Sequence, residues 1–94
     1  MENKSRKIPN HLRKFRKQMG LTQKDIASLL NINTTKRIIL WEQGKALPCL
    51  RTIFRLSIIY HVLPTDLYPE YYFELKKQLH PKTEDLLLNK HFKK

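Results

Sequence analysis

The sequence has a single cysteine, two glycines and no long apolar run. One cysteine excludes an intrachain disulfide and favours a reducing compartment, so we expect a cytoplasmic protein in which Cys49 is a half-buried packing residue. No apolar stretch approaches the roughly 20 residues that span a bilayer. The basic amino-terminal stretch has no apolar core after it, so it does not resemble a signal peptide. These absences predict no membrane segment.

Acidic residues are also scarce, with 8 Asp and Glu against 19 Lys and Arg. The acids are scattered, and the pair Glu84 and Asp85 is the one place where two adjoin. The four histidines have no ligand-like spacing with one another or with Cys49. We therefore expect no catalytic residues, no metal, no cofactor and no small-molecule ligand, and predict that the protein is not an enzyme.

The excess positive charge is unevenly distributed. Residues 1–68 carry 13 basic and 4 acidic groups, a net charge of +9, whereas residues 69–94 have a net charge of +2. A small domain with this charge favours a polyanionic partner, nucleic acid first. A solvated basic surface without a partner is the alternative.

The stretch from Leu21 to Gly44 has the pattern of two short helices joined by a turn. Thr22 can cap the first helix, with Asp25 at its third position, in a variant of the capping box. Residues 31–34, Asn-Ile-Asn-Thr, favour a turn and a helix start. A second helix follows, beginning near Thr34, and Gly44 ends it in a left-handed conformation. The stretch predicts a helix–turn–helix.

The flanking sequence also predicts helices, with no alternating strand pattern. Residues 1–8 form a basic amino-terminal arm without periodicity. A first helix follows and ends at Gly20. Pro48 suits the first turn of a further helix that runs to about Tyr60, and a one-turn helix then ends at Pro69. The fold class is therefore all-α.

Residues 70–94 are predicted as a carboxyl-terminal helical extension, which is either a dimerisation element or a partly disordered tail. The pattern favours a helix from Glu70 to His80 that Pro81 ends. Thr83 is expected to cap a last turn. Apolar side chains in this segment either close over the core or contact a second subunit, and the sequence leaves both alternatives open. They are Tyr71, Tyr72, Phe73, Leu86, Leu87 and Leu88.

One continuous register from Leu12 to Leu67, roughly 56 of the 94 residues, resembles the DNA-binding domain of the phage repressor and Cro family, the XRE-type bacterial regulators. The matching residues are Leu12, Arg16, Gly20, Leu21, Thr22, Gln23, Leu29, Leu30, Ile38, Trp41, Glu42, Gly44, Lys45, Pro48, Ile53, Leu56, Ser57, Thr65, Asp66 and Leu67. The resemblance implies a compact five-helix, lambda-repressor-like bundle at residues 9–69 whose third helix enters the major groove.

The resemblance also assigns roles to single residues. Arg16 resembles the buried arginine of the family that pairs with a glutamate, here Glu42. Gln23 resembles the glutamine that contacts a phosphate and braces the recognition helix. The sequence has one residue more between Leu30 and Glu42 than the common spacing of the family. The first DNA-contacting position is therefore Thr35 when counted back from Glu42 and Thr34 when counted forward from Leu30. The remaining expected DNA contacts are Lys24, Lys36, Arg37, Leu40 and Lys45.

These observations predict a sequence-specific regulator of transcription, a repressor, that binds double-stranded DNA. We expect it to act as a homodimer on a palindromic operator. One alternative is a small basic protein that associates with RNA or the ribosome without reading sequence. Another keeps the fold but makes it an antitoxin-type interaction module whose tail orders on a partner chain.

Overall fold

The computed structural model describes residues 7–92, which form six helices and no strand. The predicted all-α class is confirmed. Five helices fall within residues 12–67, and the sixth is the carboxyl-terminal extension. The helices are α1 (Leu12–Gln18), α2 (Gln23–Leu29), α3 (Lys36–Glu42), α4 (Leu50–Tyr60), α5 (Pro64–Leu67) and α6 (Pro69–Phe92). The first six residues of the predicted arm and the last two of the tail lie outside the described residues.

A single apolar cluster holds α1 to α5 together. Because each of these helices is short, their stability comes from burying one face against the others rather than from helix propensity alone. Tyr68, which connects α5 to α6, also belongs to the cluster. The buried members are Leu12, Ile26, Ala27, Leu30, Ile38, Trp41, Leu56, Tyr60, Leu67 and Tyr68.

The amino end of α2 has the predicted capping arrangement. The Thr22 hydroxyl accepts the Asp25 N–H at 3.0 Å, and the Asp25 carboxylate accepts the Thr22 N–H at 2.8 Å. The carboxylate is therefore held by the backbone hydrogen bond, which lowers the pKa of Asp25 below its ordinary value. The reciprocal bonds confirm the variant capping box and fix where α2 begins.

The turn between α2 and α3 is built on a left-handed residue. Asn31 has φ of 60°, and the N–H of Ile32 donates to the Ala27 carbonyl at 2.8 Å, which closes the end of α2. The helical residues of α3 begin at Lys36, two residues later than the predicted start near Thr34. The Thr34 hydroxyl instead accepts the Lys36 N–H at 3.2 Å from outside the helix.

The amino-terminal segment is tied to the end of α3. The Ile8 N–H donates to the Gly44 carbonyl at 2.9 Å, and the Asn10 amide donates to the Trp41 carbonyl at 3.1 Å. Ile8 also packs against the core, so placing residue 8 in an arm was wrong. Gly44 has φ of 76°, as predicted, and a Cβ there would lie 2.4 Å from the Ile8 carbonyl oxygen. Glycine is required at this position for both reasons.

Two predictions about the start of α4 are wrong. Pro48 is not in its first turn, because α4 begins at Leu50 and Cys49 is the N-cap residue. Cys49 is exposed rather than half-buried. Its thiol lies 3.4 Å from the Thr52 hydroxyl, and this hydrogen bond lowers the pKa of Cys49. Cys49 therefore occupies the N-cap position of α4 at the surface, with no side-chain hydrogen bond to the helix backbone, and does not pack in the core.

The last helix is longer and more exposed than the sequence pattern predicts. Pro81 does not end it, because α6 continues through that position to Phe92. Thr83 is not a cap but lies inside the helix, and its hydroxyl donates to the Leu79 carbonyl at 2.9 Å. Of the apolar side chains named above, Tyr71 packs against the core. Closure over the core is wrong for Tyr72, Phe73, Leu86, Leu87 and Leu88, which are between 48 % and 58 % exposed.

Candidate nucleic-acid interface

The first turns of α3 present a basic, exposed surface. Ile38 and Trp41 are buried in the core, which turns Lys36 and Arg37 to the outside of the same helix. Leu40, one turn further along, is 38 % exposed. The burial of one face therefore fixes which residues α3 can offer to a partner.

A cleft of about 400 Å³ lies between α2 and the turn that leads into α3. Three of the predicted contact residues, Lys24, Thr34 and Thr35, line it. Lys24 and Thr34 are exposed, and Thr35 is half-buried. Hydroxyls and an ammonium group around one opening can donate hydrogen bonds to phosphate or to base edges.

An ion pair joins α1 to the carboxyl end of α3. Nε and Nη2 of Arg16 donate to the two carboxylate oxygens of Glu42 at 2.6 Å and 3.0 Å, and Nη1 donates to the Leu21 carbonyl at 2.9 Å. Hydrogen bonding to Glu42 raises the pKa of the Arg16 guanidinium above its ordinary value. This is the pair that the family resemblance implies, and it fixes the angle of α3 against α1 through two parallel bonds.

Gln23 connects the amino end of α2 to the same carboxylate. Its side-chain amide nitrogen donates to Glu42 at 3.1 Å. An amide group has two N–H donors, so one remains for a phosphate at the surface. The geometry thus accommodates both parts of the role that the resemblance implies for Gln23.

A second cleft, of about 640 Å³, lies between α1, the start of α2 and the end of α3. Three exposed cations, Lys7, Arg13 and Lys17, line it together with Gln23. Sequence reasoning did not assign these cations to the site. Arg13 and Lys17 are four residues apart on α1 and therefore share a face. That spacing was the available signal, but nothing local showed that the face adjoins α2 and α3.

Lys45 lies apart from both clefts. It is exposed just beyond Gly44, and its backbone N–H donates to the Leu40 carbonyl at 2.9 Å. The eight predicted contact residues therefore divide into three groups. Gln23 lines the larger cleft, Lys24, Thr34 and Thr35 line the smaller one, and Lys36, Arg37, Leu40 and Lys45 lie on the surface of α3 and beyond its end.

A helix–turn–helix family model matches residues 12–67, which is more than half of the chain. The chain belongs to the XRE-type helix–turn–helix family. The match has the bounds of the stretch from Leu12 to Leu67 in which the resemblance was found, so that recognition is confirmed. No curated protein matches the chain.

Membership of the XRE-type family makes this protein a DNA-binding helix–turn–helix regulator whose partner is double-stranded DNA. Domains of this family are DNA-binding regulatory domains and are typically non-enzymatic. Within residues 7–92, no three or more His, Cys, Asp or Glu side chains lie together as a metal site would require. In the same range, none of the helices combines the length and the apolarity needed to cross a membrane.

Proposed function

We propose that the protein is a repressor that binds a palindromic operator as a homodimer and places α3 in the major groove. The observation that carries the proposal is the exposed first half of α3, held at its far end by the Arg16–Glu42 pair. A helix fixed at one end and exposed at the other can enter a groove about 12 Å wide without rearrangement of the fold.

The base contacts come from the surface of α3. Lys36 and Arg37 can each donate to O6 and N7 of guanine, and Leu40 offers an apolar contact for a thymine methyl group. Thr34 and Thr35, in the smaller cleft, contact a base edge or the adjoining phosphate. Each good bidentate contact contributes about 1–3 kcal/mol of discrimination against a wrong base.

The phosphate contacts surround that helix. Gln23 and Lys24 at the start of α2 lie beside unpaired helix N–H groups, and Lys45 lies beyond the end of α3. Repression follows from occupancy, because a protein bound across a promoter excludes polymerase without needing a further surface. The exposed apolar residues of α6 support the homodimer.

Selection of bound duplexes from a random pool tests the proposal directly. We expect one enriched palindrome whose half-sites are centred about 34 Å, or a multiple of one helical turn, apart. Enrichment without any shared sequence, or preferential binding of structured RNA over the selected duplex, would contradict it. The RNA competition also separates the regulator from the alternative of an RNA- or ribosome-associated protein.

Two substitutions then separate base contacts from phosphate contacts on the selected duplex. Arg37→Ala should weaken binding about 10- to 100-fold and relax the preference at one base pair. Lys45→Ala should weaken all duplexes equally and reduce the salt slope by about 1. Lys90→Ala, an exposed cation near the far end of α6, is the matched control and should leave both the affinity and the salt slope unchanged.

The salt dependence measures the number of phosphate contacts. With four to six contacts per subunit, the logarithm of affinity should fall with the logarithm of salt concentration at a slope of roughly −4 to −5 per subunit. Binding that does not change between low and physiological ionic strength would contradict the charge-based part of the proposal.

A further inference from the structure

The larger cleft, between α1, the start of α2 and the end of α3, has a strongly positive lining. Four cations line it, Arg16 and the exposed Lys7, Arg13 and Lys17, against one carboxylate, Glu42, so the lining carries a net charge of +3. That carboxylate is already occupied, because both of its oxygens accept N–H groups of Arg16. An anion that enters the cleft therefore meets exposed cations and, among the described lining residues, no free carboxylate.

The cleft continues the exposed surface of α3. Lys36, Ile39 and Gln43 are three and four residues apart, so they lie along one face of the helix. Lys36 is an expected base contact, whereas Ile39 and Gln43 line the cleft. Lys36 and Gln43 are about 10 Å apart along the helix axis at 1.5 Å per residue, which is close to the roughly 12 Å width of the major groove. With the first turns of α3 in the groove, the cleft meets the phosphate backbone at its border.

The chemistry of the cleft suits a phosphate backbone better than a small ligand. Small-molecule pockets are lined mainly by apolar and aromatic side chains. Of the described residues that line this cleft, Ile39 alone is apolar. The Thr22 hydroxyl and the side-chain amides of Gln23 and Gln43 add neutral hydrogen-bond donors to the cations. Cations and neutral donors together are the groups that contact DNA phosphates in proteins.

Two of the cations have a spacing that matches successive phosphates. Arg13 and Lys17 are exposed and one turn apart on α1, about 6 Å along its axis. We call them the α1 cations. Phosphates on one DNA strand follow one another about every 3.4 Å of the duplex axis, so two neighbours lie within reach of two long side chains. The cations already proposed as phosphate contacts are Lys24 and Lys45. A salt slope of roughly −4 to −5 requires about four to six contacts per subunit, so the α1 cations supply the missing ones.

We propose that the α1 cations, with Lys7 beside them, bind two successive phosphates of the DNA strand that borders the half-site. The inference rests on the proposed placement of α3 in the major groove, and it adds a second phosphate-binding surface formed by α1. These contacts position the protein on the duplex without reading its sequence. A free phosphorylated ligand in the cleft is the arrangement that the test must separate from it.

Neutralising the α1 cations tests their number of contacts. For Arg13→Gln/Lys17→Gln, the salt slope on the selected duplex should become shallower by about 1.8 per subunit. If the titrations of the variant and the unmodified chain meet at about 1 M salt, the affinity at about 0.1 M falls about 60-fold per subunit. Other duplexes should lose affinity by the same factor, because phosphates carry no sequence information. Arg13→Lys/Lys17→Arg keeps both charges and should retain the slope.

Neutral methylphosphonate linkages locate the contact on the DNA. When they replace the phosphates of the selected duplex one at a time, the unmodified chain should lose affinity at two successive linkages beside the half-site. The same two linkages should have no effect on Arg13→Gln/Lys17→Gln, because the cations that bind them are already absent. Linkages that contact Lys45 should still weaken binding of this variant.

The matched control is Lys82→Gln/Lys90→Gln, which removes two exposed cations from α6. It should keep the salt slope and the linkage pattern, and circular dichroism should show that every variant retains its helices. An unchanged salt slope or an unchanged linkage pattern in Arg13→Gln/Lys17→Gln overturns the inference and leaves binding by α3 in place. ATP binding that this variant loses without a change in salt slope also overturns it, in favour of a small-ligand site. Failure to select any duplex overturns the proposed function as well.

Discussion

Replacing Glu42 with alanine should be the most damaging single change in the fold outside the apolar core. The substitution removes the acceptor of two Arg16 N–H groups and of the Gln23 amide. The side chains of Arg16 and Glu42 are 9 % and 5 % exposed, so water does not readily replace the lost carboxylate. The guanidinium stays charged in the variant, because an arginine side chain is not deprotonated in proteins even when it is buried. The variant must therefore bury an unpaired charge.

Removing one partner of a buried ion pair costs about 3–5 kcal/mol. That is a large part of the roughly 5–15 kcal/mol by which small domains are stable. For a domain of this size the melting temperature should fall by more than about 10 °C. Urea unfolding followed by fluorescence measures the change, because Trp41 is the single tryptophan and is 6 % exposed in the native fold.

The double variant Arg16→Met/Glu42→Leu is the control that isolates the unpaired charge. Apolar replacement of a whole buried pair is often close to neutral, so the double variant should be more stable than Glu42→Ala. The reasoning would be refuted if Glu42→Ala cost less than about 1 kcal/mol. It would also be refuted if the double variant were no more stable than the single one.

Three further substitutions test local features. Gly44→Ala should lower the free energy of unfolding by more than about 1 kcal/mol, whereas Gly20→Ala, also at positive φ but with open space around its Cβ, should cost less in the same urea titration. Asp25→Ala should lower the free energy of unfolding at neutral pH. The difference in free energy between the variant and the unmodified protein should vanish as pH falls through the lowered pKa of Asp25. A difference that persists in acid would contradict the capping role of the carboxylate. Burial raises the pKa of Tyr68 from 10.0 to about 12, so the unmodified protein should lose stability as pH rises across that interval, and Tyr68→Phe should lose less in alkaline unfolding titrations.

The features that could be predicted from the sequence are those determined by neighbouring residues. Thr22 and Asp25 are three residues apart, and that spacing alone defines the capping bonds of α2. Gly44 after a helical pattern likewise predicts a left-handed end. The pairing of Arg16 with Glu42 came from the family resemblance, because no local rule brings residues 26 positions apart into contact.

The features that could not be predicted depend on how helices pack. The sequence of α4 is apolar on several faces, so its pattern does not show that Leu56 is buried while Leu50, Phe54 and Ile58 are exposed. A proline inside a helix costs about 3 kcal/mol and usually ends it, whereas α6 runs through Pro81 to Phe92, which the local pattern does not show. The larger cleft combines residues from three helices, and its shape exists only once they are assembled.

The two ends of α3 are supported very differently. Its carboxyl end is bonded to Asn10, Arg16, Gln23 and, through Gly44, Ile8. Its amino end has two local bonds, from the Lys36 N–H to the Thr34 hydroxyl and from the Ile39 N–H to the Thr35 carbonyl. Residues 34–37 can thus be exchanged for another sequence without disturbing what keeps the helix in position. If residues 34–37 make the base contacts proposed above, a chimera with a different set of four residues should melt like the parent while selecting a different DNA sequence, which makes this scaffold a starting point for reprogramming DNA specificity.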